Sequence, residues 1–123
     1  MKILRTYAHE IVTIVVDTAY SDPPIDMREF SALQVHIPAA WTDAALGFSV
    51  GPVKTSTYGP LYVAPTCSTK LTVLCQVGSV AVSEVYHAPA EVGGAGWVRL
   101  WSQTAGADEN QLGDRVIRVT KKS

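Results

Sequence analysis

The stretch FSALQVHIPAAWTDAALGFSVG, Phe30 to Gly51, decides the fold. Two short apolar runs, Ala32 to Ile37 and Ala45 to Val50, alternate with period two on either side of a corner that opens with Pro38 and carries Trp41. Leu33, Val35 and Ile37 point one way while Ala32, Gln34 and His36 point the other; Leu46, Phe48 and Val50 resume the alternation after the corner. Each strand has one face to bury. A lone pair of strands is marginal in water, so a second sheet has to cover that face.

The rest of the chain supplies it. Glu10 to Val16 is a strand rich in Val and Ile, ended by Asp17 and the turn cluster Ser21 to Pro24, and PPIDMREF is a connection because its prolines remove two ladder donors. VKTSTYGPLYVAP reads as an edge strand, or as a strand with a break at Gly59 and Pro60. Lys70 to Val77 and Val80 to Tyr86 read as two strands joined tightly at Val77 to Ser79. His87 to Gly96 is loop, Trp97 to Ser102 strand, Gln103 to Gln111 a long polar loop, and Asp114 to Thr120 a last strand before the basic tail Lys121, Lys122, Ser123. About eight strands and no long amphipathic helix predict an all-β protein: one domain over residues 1–123, an antiparallel β-sandwich of jelly-roll type, with an immunoglobulin-like sandwich as the rival.

Composition bounds the function. The chain has 123 residues, 47% of them hydrophobic and 17% charged, enough to bury roughly two-thirds of the surface its unfolded form exposes. No apolar run approaches the roughly 18 residues of a membrane helix, and ten Lys and Arg against eleven Asp and Glu leave a net charge of −1. Neither a membrane nor nucleic acid is expected as a partner. In MKILRTYAHEIVTIVV, Arg5, His9 and Glu10 interrupt the apolar run and no small-residue cleavage site follows, so synthesis in a cytoplasm is expected. Cys75 reads as a small buried side chain; Cys67 lies in a turn within reach of it, with nothing that demands a bond.

No catalytic motif appears, and the reading is of a protein that is not an enzyme. His9, His36 and His87 lack a serine or carboxylate at a catalytic spacing, and with two cysteines eight apart they form no metal-ligand pattern. Neither Asp22 and Asp26 nor Asp108, Glu109 and Asn110 show the ligand alternation of a calcium loop. No cofactor and no metal are expected. Arg115 is expected to answer an acid on a neighbouring strand.

The pattern that does carry chemistry is GWVRLWS. Alternation sends Val98 and Leu100 inward and turns Trp97, Arg99 and Trp101 outward, so two indoles bracket one guanidinium. Trp and Arg dominate interface energetics, and an exposed stripe of them is an association site; the competing reading buries both tryptophans. Trp41 reads as a plug closing one end of the sandwich, or else as a stacking platform for a sugar ring.

IPAAWTDAALGFSV, followed at a distance by GWVRLWSQTAGADENQLGDRVIRV, resembles a group of small structural proteins encoded by tailed bacteriophages and related prophages. In that group a PAAWT-like corner leads into an L-x-F strand, and a later aromatic-x-R-L-x-S strand leads through a polar loop to a final strand opened by Arg. The resemblance covers Phe30 to Val50 and Gly96 to Val119. The chain departs from it at Ser49 to Pro52, where the group has an Asp-Gly turn, and at Trp101, where an Arg is expected. It implies a virion protein made in the host bacterial cytoplasm: a capsid decoration or cement protein, or a tail or head-tail component of the same class. The implied partners are further copies of the chain, a homo-oligomer of which a trimer is one form, and the major capsid or other virion proteins. The alternative is a carbohydrate-binding sandwich in which Trp41 or Tyr58 stacks on a sugar.

Overall fold

Thirteen extended segments follow one another among residues 7–55, 57–63, 73–74, 76–78 and 80–123, which the computed structural model describes. They are β1 (Tyr7–Ile14), β2 (Ser21–Asp22), β3 (Ile25–Asp26), β4 (Ala32–His36), β5 (Ala45–Gly51), β6 (Gly59–Pro60) and β7 (Tyr62–Val63). After these come β8 (Val73–Leu74), β9 (Gln76–Val77), β10 (Val85–His87), β11 (Trp97–Thr104), β12 (Ala107–Asp108) and β13 (Arg115–Lys122), with one 3-10 turn at Ala90–Val92. All pairings are antiparallel. The first sheet runs β10-β4-β13-β1-β2; the second runs β12-β11-β5-β6, with β3 also on β11 and β9 also on β5; β7 and β8 pair apart.

The alternation read from the sequence builds a β-sandwich. Val12, Ile14, Leu33, Val35, Ile37, Ile117 and Val119 of the first sheet meet Leu46, Phe48, Val98 and Leu100 of the second in one cluster of buried side chains. Burying them is the main force holding the sheets together, at about 1.5–3 kcal/mol for each Val, Leu, Ile or Phe taken fully out of water. Among the described residues no helix is long and apolar enough to cross a membrane.

Several connections differ from the sequence reading. The two strands expected to pair across Val77 to Ser79 do not pair with each other: β9 pairs with β5 in the second sheet and β10 with β4 in the first, so they belong to opposite sheets. PPIDMREF is more than a connection, because Ile25 and Met27, two apart, both point inward and are fully buried. The polar run after β11 forms a hairpin, turning at Ala105 and Gly106 into β12, and its flanking Gln103 and Gln111 are fully buried. The first strand ends at Ile14, leaving Val15 and Val16 on a turn. The basic tail is a strand: Lys121 is buried, its ammonium donating to Glu10 Oε1 at 2.8 Å and to the Asp26 carbonyl at 3.1 Å. Among the described residues Arg115 pairs with no acid; it donates to Gln111 Oε1 and Thr42 Oγ1. Cys67 and Cys75 lie outside the described residues.

Candidate functional site

β11 and β5 determine what the second sheet shows to the outside. Their register sets Trp97 against Gly51, Arg99 against Ser49 and Trp101 against Gly47, so each large outward residue of β11 faces a small one. Val98 and Leu100 are wholly buried beneath. The three residues singled out in the sequence therefore share the outer face, and their surroundings separate them.

Trp101 is sealed. Its indole folds over Gly47, where an added Cβ would stand 2.7 Å from Trp101 Cε3, and Tyr20 covers it in parallel with ring centroids 6.0 Å apart. Its N–H donates to Asp108 Oδ1 at 2.8 Å, leaving the side chain 2% exposed. The expectation of an outward stripe ending in an exposed Trp101 is thus corrected: alternation placed it on the outer face, but the β11–β12 hairpin and Tyr20 close over it. The Tyr20 hydroxyl donates to the same Asp108 oxygen, and burial first, then Asp108, pushes its phenol up to about 12.

Trp97 and Arg99 remain half-open. The Arg28 guanidinium lies 4.9 Å from the Trp97 ring centroid and the Lys54 ammonium 5.8 Å, both within cation-π range. Arg28 is held bidentately by Asp26, and that hydrogen bonding lowers the Asp26 carboxyl to about 2. Arg99 lies over the Tyr58 ring at 4.7 Å, with Asp22 Oδ1 3.8 Å from its Nη2. Tyr58 donates its hydroxyl to the Lys54 carbonyl, and burial raises its phenol. Trp41 packs half-buried against the core and donates to the Ala44 carbonyl at 3.2 Å.

The first sheet carries a surface that the sequence reading missed. In register, His87 lies beside Gln34, Gln34 beside Thr120 and Thr120 beside His9, while His36 and Ile11 flank Arg118. All three histidines of the chain thus reach one outward face, although they stand far apart along it. His9 Nδ1 is 3.0 Å from Thr120 Oγ1, and Gln34 Nε2 is 3.2 Å from His87 Nε2. Tyr7, Ile11, Val85 and Val116 lie on the same face, each about half exposed; Ile11 lines a shallow hollow of about 610 Å³ with His9, Glu10, His36, Arg118 and Thr120. The outward side chains of β1, β4, β10 and β13 include Arg118 and Lys122 and no acid. Among the described residues no group of His, Cys, Asp and Glu is placed to hold a metal.

A solved structure shares this fold. It is the crystal structure of SPBc2 prophage-derived protein YomS, matched over 100% of both chains with a TM-score of 0.54 at 13% identity. At that identity the likeness is one of architecture. No family model and no curated protein matches the chain.

Proposed function

We propose that this chain is a non-enzymatic structural component of a tailed-phage particle, a decoration or cement protein that works by contact between subunits. The observation that carries the reading is the outward face of the first sheet, where Tyr7, Ile11, Val85 and Val116 stand in water beside Arg118 and Lys122. Half-exposed apolar side chains gathered on one sheet face mark a contact surface. Its cations point to the occupant. A second copy docked about a two-fold axis would set the cations of the central strand β13 against themselves, whereas an acidic surface of a shell protein complements them.

The fold shared with a prophage-derived protein and the PAAWT and aromatic-x-R-L motifs support the phage setting. The strand order supports the jelly-roll form of the sandwich: β1, β13, β4 and β10 face β3, β11, β5 and β6, with the first long strand beside the last. Copies of the chain, a trimer being one closed form, would add further contacts around a symmetry axis.

The test uses particles released by the phage or prophage that encodes the chain. The protein is expected in purified particles at a fixed ratio to the shell protein. An Ile11→Asp, Val116→Asp variant, folded by circular dichroism, is expected to be lost from them. Absence of the wild-type chain from particles, or undiminished incorporation of the variant, overturns the reading. Light scattering of the free protein checks self-association, and a monomer would remove the homo-oligomer from it.

A further inference from the structure

The assembly reading leaves a hollow on the other sheet unused. β5 sets the small residues Gly47, Ser49 and Gly51 opposite the large ones of β11, and Trp101 fills the space over Gly47. Beside Ser49 the surface opens into a hollow of about 370 Å³ lined by Tyr20, Ser49, Tyr58 and Arg99. That volume lies at the small end of ligand sites, which span roughly 300–1,000 Å³.

The chain does not use the Arg99 guanidinium fully. Tyr58 holds its plane at 4.7 Å. The carboxylate nearest to it, Asp22, stands off at 3.8 Å from Nη2 with its side chain 72% exposed, while Arg99 Nε is buried and has no hydrogen-bond partner among the described residues. An arginine fixed against an aromatic ring with its Nη end open is suited to receive a carboxylate there, which its planar guanidinium binds bidentately. Lys54, against Trp97 of the same strand, adds positive potential, whereas Arg28 beside it is compensated by Asp26.

The remaining lining narrows the class of ligand. An acidic protein side chain would use the guanidinium and leave both tyrosines idle. A neutral sugar would use the rings and leave the cation idle. A sugar ring that carries a carboxylate engages the rings and the cation together, over the buried Ser49. We propose that this hollow is a binding subsite for a carboxylate-bearing sugar of the hexuronic-acid class, its carboxylate on Arg99 and its ring against Tyr20 and Tyr58. The site lies on the opposite sheet from the assembly face and stands or falls independently of it.

The experiment follows the Arg99 Nε–H signal of the whole chain by NMR, assigned by its loss in Arg99→Gln, during titration with sodium glucuronate, sodium acetate and glucose in parallel. Glucuronate is expected to shift the signal saturably, with an affinity at least tenfold above either control. Arg99→Gln and Tyr58→Ala, with otherwise unchanged amide spectra, are expected to weaken glucuronate binding at least tenfold. Acetate binding as tightly as glucuronate would assign the hollow to bare carboxylates, such as an acidic protein side chain, and overturn the sugar. Glucose binding equally well would remove the role of Arg99. No shift with any of the three would remove the site, and the wild-type titrations decide this even if a variant fails to fold.

Discussion

Thr42 and Gln111 hold each other by a reciprocal pair of hydrogen bonds: the Thr42 N–H donates to Gln111 Oε1 at 2.8 Å, and Gln111 Nε2 donates to the Thr42 carbonyl at 3.2 Å. The glutamine amide thus stands in for a strand neighbour of the corner between β4 and β5. It also donates to Ser102 Oγ and accepts from Arg115 Nε, while its backbone bonds Asp17 and Thr18. A single buried amide ties the corner, the end of β11, the start of β13 and the first turn together.

Gln111→Ala is therefore expected to destabilise the fold by about 3 kcal/mol, since several buried groups lose partners at about 1–3 kcal/mol each and relax only in part. Urea unfolding measures it. A loss below the scatter of exposed-site substitutions would show that the corner holds without the glutamine.

The two late tryptophans are expected to separate cleanly. Trp101→Ala empties a sealed site and should cost about 3–5 kcal/mol, whereas half-exposed Trp97→Ala should cost less than about 1 kcal/mol, within the range of surface changes. Thermal unfolding of the pair tests this; equal losses would contradict the placement of Trp101 beneath Tyr20.

Lys121 and Glu10 form a lopsided ion pair, the lysine side chain 5% exposed and the glutamate 37%. Glu10→Ala leaves a buried ammonium without its counter-charge and should cost about 2 kcal/mol, below the 3–5 of a fully buried pair because Glu10 is partly in water and the Asp26 carbonyl still accepts from Lys121. Lys121→Met, with nearly the same length and no charge, should be close to neutral. Denaturant midpoints decide, and the expected order fails if the methionine variant is the weaker of the two.

Two groups set opposite arms of the pH profile. Asp26 is lowered from 3.8 to about 2, chiefly by its hydrogen bonds to Arg28, so its contribution is complete above about pH 4 and lost as pH falls through 2. Asp26→Asn should flatten that acid arm. Tyr20 is raised from 10.0 to about 12, chiefly by burial, so its contribution is complete below pH 10 and lost as pH rises through 12. Ultraviolet titration should show a tyrosinate forming at about pH 12 that disappears in Tyr20→Phe, while the raised Tyr58 phenol remains in that variant.

Legible from the sequence alone were the strands of five residues or more whose large apolar side chains recur at every second position. Leu33, Val35 and Ile37, Leu46 and Phe48, and Val98 and Leu100 all point where period two sends them, because a pleated strand with one dry face admits no other order. The two-residue strands, the crossing between β9 and β10 and the burial of Gln103 and Gln111 were not legible. These depend on partners far along the chain, and a glutamine looks polar until Thr42 and Ser102 satisfy its amide.

The candidate surfaces divide in the same way. Alternation put Trp97, Arg99 and Trp101 on one outer face, yet Tyr20, Gly47 and Asp108 decided that Trp101 would be sealed and Arg99 left open. Residues 9, 36 and 87 form no pattern in one dimension. Strand register, fixed by the shared core, sets their side chains on a common sheet face, and only the folded chain contains that register.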